Sequence, residues 1–74
     1  MSEKQIAIST YYKEENGGKS KADVVLKNDC YFIEYFDPRG EFVMSEQYHG
    51  KSLRYVEDAA ENWAQGIKVL NGWN

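Results

Sequence analysis

Residues 30–48, CYFIEYFDPRGEFVMSEQY, decide the fold of this chain. Two runs of aromatic and β-branched residues flank Asp37-Pro38-Arg39-Gly40, in which proline presets the first central position of a type I turn and glycine suits the left-handed site of a bulge. The stretch therefore reads as a β-hairpin, with Phe36 opposite Phe42, Tyr35 opposite Val43 and Glu34 opposite Met44. Alternation places large apolar groups on both of its sides. Tyr31, Ile33, Tyr35 and Val43 share one side; Phe32, Phe36, Phe42, Met44 and Tyr48 share the other.

Working back from Cys30, Asn28-Asp29 are residue types that tolerate the positive φ of a two-residue type I′ turn. That turn sets Lys27 opposite Cys30, Leu26 opposite Tyr31, Val24 opposite Ile33 and Ala22 opposite Tyr35, in a strand from Lys21 to Lys27. Residues 15–20, ENGGKS, read as a flexible hairpin loop. Before it, Gln5 to Glu14 alternates Ile6, Ile8, Thr10 and Tyr12 against Ala7, Ser9 and Tyr11, which suits a first strand. Carried through both turns, these registers give a three-stranded, uncharged core face of Ala22, Val24, Leu26, Tyr31, Ile33, Tyr35 and Val43. The reverse face collects Val25, Phe32, Phe36, Phe42, Met44 and Tyr48, threaded with Asp23, Glu34 and Glu46. Because side chains alternate, a slip of one residue in either turn exchanges the faces.

Downstream, Ser52 can cap a helix whose apolar positions Leu53, Val56, Ala60, Trp63, Ala64, Ile67 and Leu70 step by three and four. Asn71-Gly72 supplies the stop. The expected fold is α+β: a four-stranded antiparallel β-meander with one C-terminal α-helix packed on one face, in a single domain spanning residues 1–74. The helix start, LRYVEDAAENW over residues 53–63, together with Tyr35-Phe36-Asp37 and Gly40, resembles short uncharacterised proteins of myovirus-type marine cyanophages. The likeness covers roughly residues 30–70 and implies a phage origin. It implies no activity.

At 74 residues, a single core rarely supplies more than about 3–5 kcal/mol without a staple. One cysteine, Cys30, excludes an intramolecular disulfide, and one histidine, His49, leaves too few ligands for a structural zinc site. Oligomerisation is the remaining device. The start of the chain has no signal-peptide pattern, and no apolar run approaches the ~18 residues of a membrane span. A cytoplasmic location, in a host cell if the chain is phage-encoded, is the expectation.

The net charge of −3 comes from residues 30–50, where Arg39 faces Glu34, Asp37, Glu41 and Glu46. A nucleic-acid surface needs clustered Lys and Arg, so nucleic acid is an unfavoured partner. His49-Gly50-Lys51-Ser52 lies between strand and helix but lacks the first glycine of a phosphate loop, Ser45 standing there instead, and Gly17-Gly18-Lys19-Ser20 fails the same test with Lys13. His49 has no nucleophile or carboxylate selected by spacing. Cys30 has only Lys27 as a basic neighbour to favour thiolate. No catalytic, cofactor or metal set can be assembled, and the chain reads as non-enzymatic.

The reverse face carries the functional expectation. Val25, Phe32, Phe36, Phe42, Met44 and Tyr48 together exceed the ~400 Å² of apolar patch that soluble surfaces tolerate. Burying six such side chains is worth on the order of 10 kcal/mol gross, comparable with the ~4–15 kcal/mol that association costs. The sequence thus points to a small interaction or adaptor protein that binds a second copy of itself, with a host or phage protein as a further partner. The alternative is a module that stacks single-stranded nucleic acid on the sheet aromatics. Within one chain, loops, the first strand or Trp73 could instead cover the face.

Overall fold

In the computed structural model, residues 5–15 and 17–67 are described. Four strands, β1 (Gln5–Glu15), β2 (Gly18–Lys27), β3 (Cys30–Phe36) and β4 (Phe42–Tyr48), precede one helix, α1 (Leu53–Ala64). The strands form one antiparallel sheet in the order β1-β2-β3-β4, and α1 lies across β1, β2 and β3 on one side. The expected α+β meander with a C-terminal helix is the observed fold.

The turn between β2 and β3 follows from its residue types. Asn28 and Asp29 hold φ of 53° and 58°, and Lys27 pairs with Cys30, so the whole β2–β3 register is the one the turn dictates. The β1–β2 hairpin is tighter than expected. β1 runs on to Glu15, β2 starts at Gly18, and these two residues pair directly. Gly17 at φ 81° allows a turn shorter than the loop expected over residues 15–20. Gly18 also brings the two hairpin ends together: a Cβ there would stand 2.7 Å from the Pro38 Cβ.

Two bulges depart from simple alternation. In β1 the register shifts between Ala7 and Ser9, so Ile8 is the extra residue and Ile6, Ser9 and Tyr11 fall on the helix side. In β4, Phe36 pairs with Phe42 as the turn requires, but Tyr35 pairs with Met44. Val43 is the extra residue. Beyond it every β4 side chain changes sides, and Met44, Glu46 and Tyr48 join the helix face. The physical reason is burial: unbulged, β4 would turn Ser45 and Gln47 inward, whereas the bulge buries parts of Met44 and Tyr48 against the core.

The core comprises Ala22, Val24, Ile33, Tyr35, Val56, Ala60 and Trp63, with Tyr11, Tyr31, Val43, Met44, Tyr48 and Leu53 packed around it. Trp63 meets Tyr35 edge-on at 5.1 Å between ring centres. Leu26, expected in the core, is half-buried beyond the reach of the helix. Ser52 Oγ accepts from the Tyr55 N–H at 3.2 Å, as a cap should. The helix ends earlier than the apolar stripe suggested. Gly66 at φ 81° takes the left-handed position after the cap, the Gly66 N–H donates to Trp63 O, and the Ile67 N–H donates to Asn62 O, which is a Schellman closure. Ile67 consequently stands exposed. Leu70, the stop at Asn71-Gly72 and Trp73 lie outside the described residues.

Candidate binding face

Alternation delivers to the side of the sheet opposite α1 a set of side chains from all four strands. Paired positions order them in rows across the strands. One row is Ala7, Val25, Phe32 and Gln47; the next is Thr10, Asp23, Glu34 and Ser45; the third is Tyr12, Lys21, Phe36 and Phe42. Val25, Phe32, Phe36 and Phe42 thus occupy the face expected of them. Met44 and Tyr48 do not, and the apolar surface is smaller by those two side chains. The correction has the single cause already given, the bulge at Val43.

The remaining apolar side chains are unequally covered. Val25 is buried, Phe32 and Phe36 are half-buried, and Phe42 is 58% exposed. Phe36 and Phe42 meet edge-on at 5.9 Å. Lysine stems lie over two rings: the Lys21 ammonium is 4.7 Å from the Phe36 ring centre and that of Lys27 is 5.7 Å from the Phe32 ring centre. Such placement shields apolar area while leaving the charge in water. Tyr12, at 58% exposure, ends the third row on β1.

Asp23 and Glu34 pair directly across β2 and β3, an arrangement of like charges that destabilises a sheet unless compensated. Compensation comes from each side. Thr10 Oγ1 donates to Asp23 Oδ1 at 2.9 Å and the Lys21 ammonium lies 3.6 Å from the same carboxylate. Gln5 Nε2 donates to Glu34 Oε1 at 3.1 Å. The face is therefore two aromatic rows separated by an acidic row whose members are held in place.

Glu46, expected on this face, lies on the other. Its Oε1 accepts from the Tyr35 hydroxyl at 2.9 Å and the Tyr48 hydroxyl at 2.7 Å. Burial raises both phenols well above the ordinary tyrosine range, and the bond to the Glu46 carboxylate raises them further. The bulge makes this cluster, because only a shift of one residue brings Glu46 to the helix side of the sheet within reach of Tyr35. At the opposite edge of the sheet, on β1, Ser9 Oγ donates to Glu57 Oε2 at 3.0 Å, tying the first strand to the helix.

The other residues singled out from sequence are dispersed. His49 is exposed in the turn before the helix, and Ser52 is engaged as its cap. Cys30 is buried, and Gln47 Nε2 approaches its Sγ at 3.4 Å. Among the described residues no three His, Cys, Asp or Glu side chains gather closely enough to hold a metal ion. No described helix is long and apolar enough to cross a membrane. Compared with protein-family models, with curated proteins and with solved structures, the chain has no match.

Proposed function

We propose that this chain is a small non-enzymatic binding module whose open sheet face docks a second copy of itself. The observation that carries the reading is the exposed Phe42 beside Phe36 on the side of the sheet that the helix leaves uncovered. The two acids of that face keep hydrogen bonds from their own chain, Asp23 from Thr10 and Glu34 from Gln5, so that covering the face leaves neither carboxylate without a donor.

Size decides how strong such docking is. Four strands about 4.8 Å apart and seven residues rising ~3.3 Å each outline a face on the order of 450 Å². Stable complexes bury roughly 800 Å² per partner. With Met44 and Tyr48 turned inward, self-association through this face is weak and concentration-dependent, in the manner of an adaptor that assembles where its copies are crowded. Host or phage proteins presenting a similar apolar surface are the natural further partners.

Stacking of single-stranded nucleic acid is the weaker reading. Bases would have to displace Lys21 and Lys27 from the rings, and the phosphates would meet Asp23 and Glu34. Sedimentation equilibrium over a concentration series tests the proposal: a mass rising above that of one chain supports it, and 8.6 kDa maintained up to about 1 millimolar, where a pair with a millimolar Kd is measurably populated, removes it. Fluorescence polarisation with labelled single-stranded DNA at low salt separates the readings, since DNA binding by a strictly monomeric chain would replace one with the other.

A further inference from the structure

The order of rows on the open face constrains how two copies can meet. In face-to-face packing the two-fold axis lies between the sheets. An axis parallel to the strands sets each row against its own copy, and an axis across the strands at the acidic row does the same there. Either geometry brings two copies of Asp23 and two of Glu34 together away from water. Like charges juxtaposed in an interface cost several kcal/mol, so neither geometry is a stable one.

An axis across the strands but displaced along them avoids this. Displaced to the Phe32 row, it covers side chains with little left to bury, since Val25 is buried and Phe32 half-buried. Displaced the other way, it lies over the row holding Phe42 and Tyr12, each 58% exposed. The acidic row then faces the next outward row of the other protomer, where Lys19 pairs with Glu14 beside the β1–β2 turn. Lys21, on the axis row, is held against its own sheet by Phe36 and Asp23.

Resting on self-association through this face, we propose that the protomers meet staggered along the strands, about an axis crossing them at Phe36 and Phe42, with Asp23 of each protomer against the partner's Lys19. Contacts between the exposed rings supply the apolar area and select this stagger over the one at the Phe32 row, and two equivalent acid–lysine pairs relieve the acids. The interface is self-complementary, because each protomer offers the same acid and the same lysine.

Neutralising the acids discriminates the geometries. In the staggered dimer Asp23→Asn weakens association by roughly tenfold, the scale of coupling for close charge pairs; in a stack with acid on acid the same variant tightens it. Equal or tighter dimerisation by sedimentation velocity overturns the stagger. A second arm guards against misfolding: Asp23→Lys and Lys19→Glu chains, each with an unchanged circular dichroism spectrum, associate more tightly when mixed than either does alone. No gain on mixing also overturns the stagger. A wild-type chain that is monomeric throughout would instead overturn the underlying self-association.

Discussion

Glu46 is the residue on which the helix side of the sheet turns. Its carboxylate accepts hydrogen bonds from the Tyr35 and Tyr48 hydroxyls, and Tyr35 is fully buried against Trp63. Glu46→Ala removes an acceptor from two hydroxyls and is expected to destabilise the chain by about 1–3 kcal/mol in urea unfolding. Glu46→Gln, which keeps an acceptor of the same length, loses less. The same cluster sets an alkaline limit. Both phenols hold their protons more tightly folded than unfolded, so their contribution is complete below the ordinary tyrosine value of about 10 and is lost as pH climbs towards the folded values. The urea midpoint of the wild type should therefore fall above about pH 10, and a Tyr35→Phe, Tyr48→Phe chain should show a flatter alkaline limb. At the turn Asp37 has the opposite sense. The Glu41 and Arg39 backbone N–H groups, with the Arg39 guanidinium, lower its carboxyl below the usual range, so its small contribution is present at neutral pH and fades on acidification.

Among the elements, β4 and α1 show where local signals and packing part company. The Asp37–Gly40 turn is legible in sequence and forms as read, with Gly40 N–H donating to Asp37 O at 2.8 Å. One residue later the strand ignores that register, since an inward Met44 and Tyr48 outweigh a broken ladder bond. Deleting Val43 removes the extra residue while leaving Met44, Glu46 and Tyr48 on the helix side. The deletion chain is expected to fold with its Tyr35–Glu46 bond intact, seen as retained alkaline behaviour and near-native circular dichroism. In α1 the apolar stripe continues past Ala64, but Gly66 ends the helix because its left-handed conformation costs no Cβ strain. Gly66→Ala should lower stability by about 1 kcal/mol in thermal melts, with little change in helix content. Both edge strands, β1 and β4, carry bulges, a feature that discourages edge-to-edge pairing and favours the open face over the edges in the proposed self-association.

For the molecule as a whole, the two sides of the sheet predict opposite outcomes for apparently similar substitutions. Phe42→Asp falls on an exposed ring and should leave the melting temperature nearly unchanged while shifting sedimentation to the mass of one chain. Met44→Glu places a charge against the core and should unfold the chain or cost several kcal/mol. If Met44→Glu instead gave a stable, soluble monomer, the bulge at Val43 would be wrong and the unbulged faces correct.

By itself the sequence determined the meander, its turns at Asn28-Asp29 and Asp37–Gly40, the capped helix at Ser52, and the membership of Val25, Phe32, Phe36 and Phe42 in the open face. Each of these rests on interactions within a few residues or on simple alternation from a fixed turn. Only the tertiary structure decided the sides taken by Met44, Glu46 and Tyr48, the extra residue at Ile8, and the end of the helix before Ile67. Bulges insert one residue where packing of a whole strand against the core outweighs one ladder position, and that comparison involves β3 and α1 as much as β4. An alternating strand with apolar groups on both sides contains no local term that could make the choice.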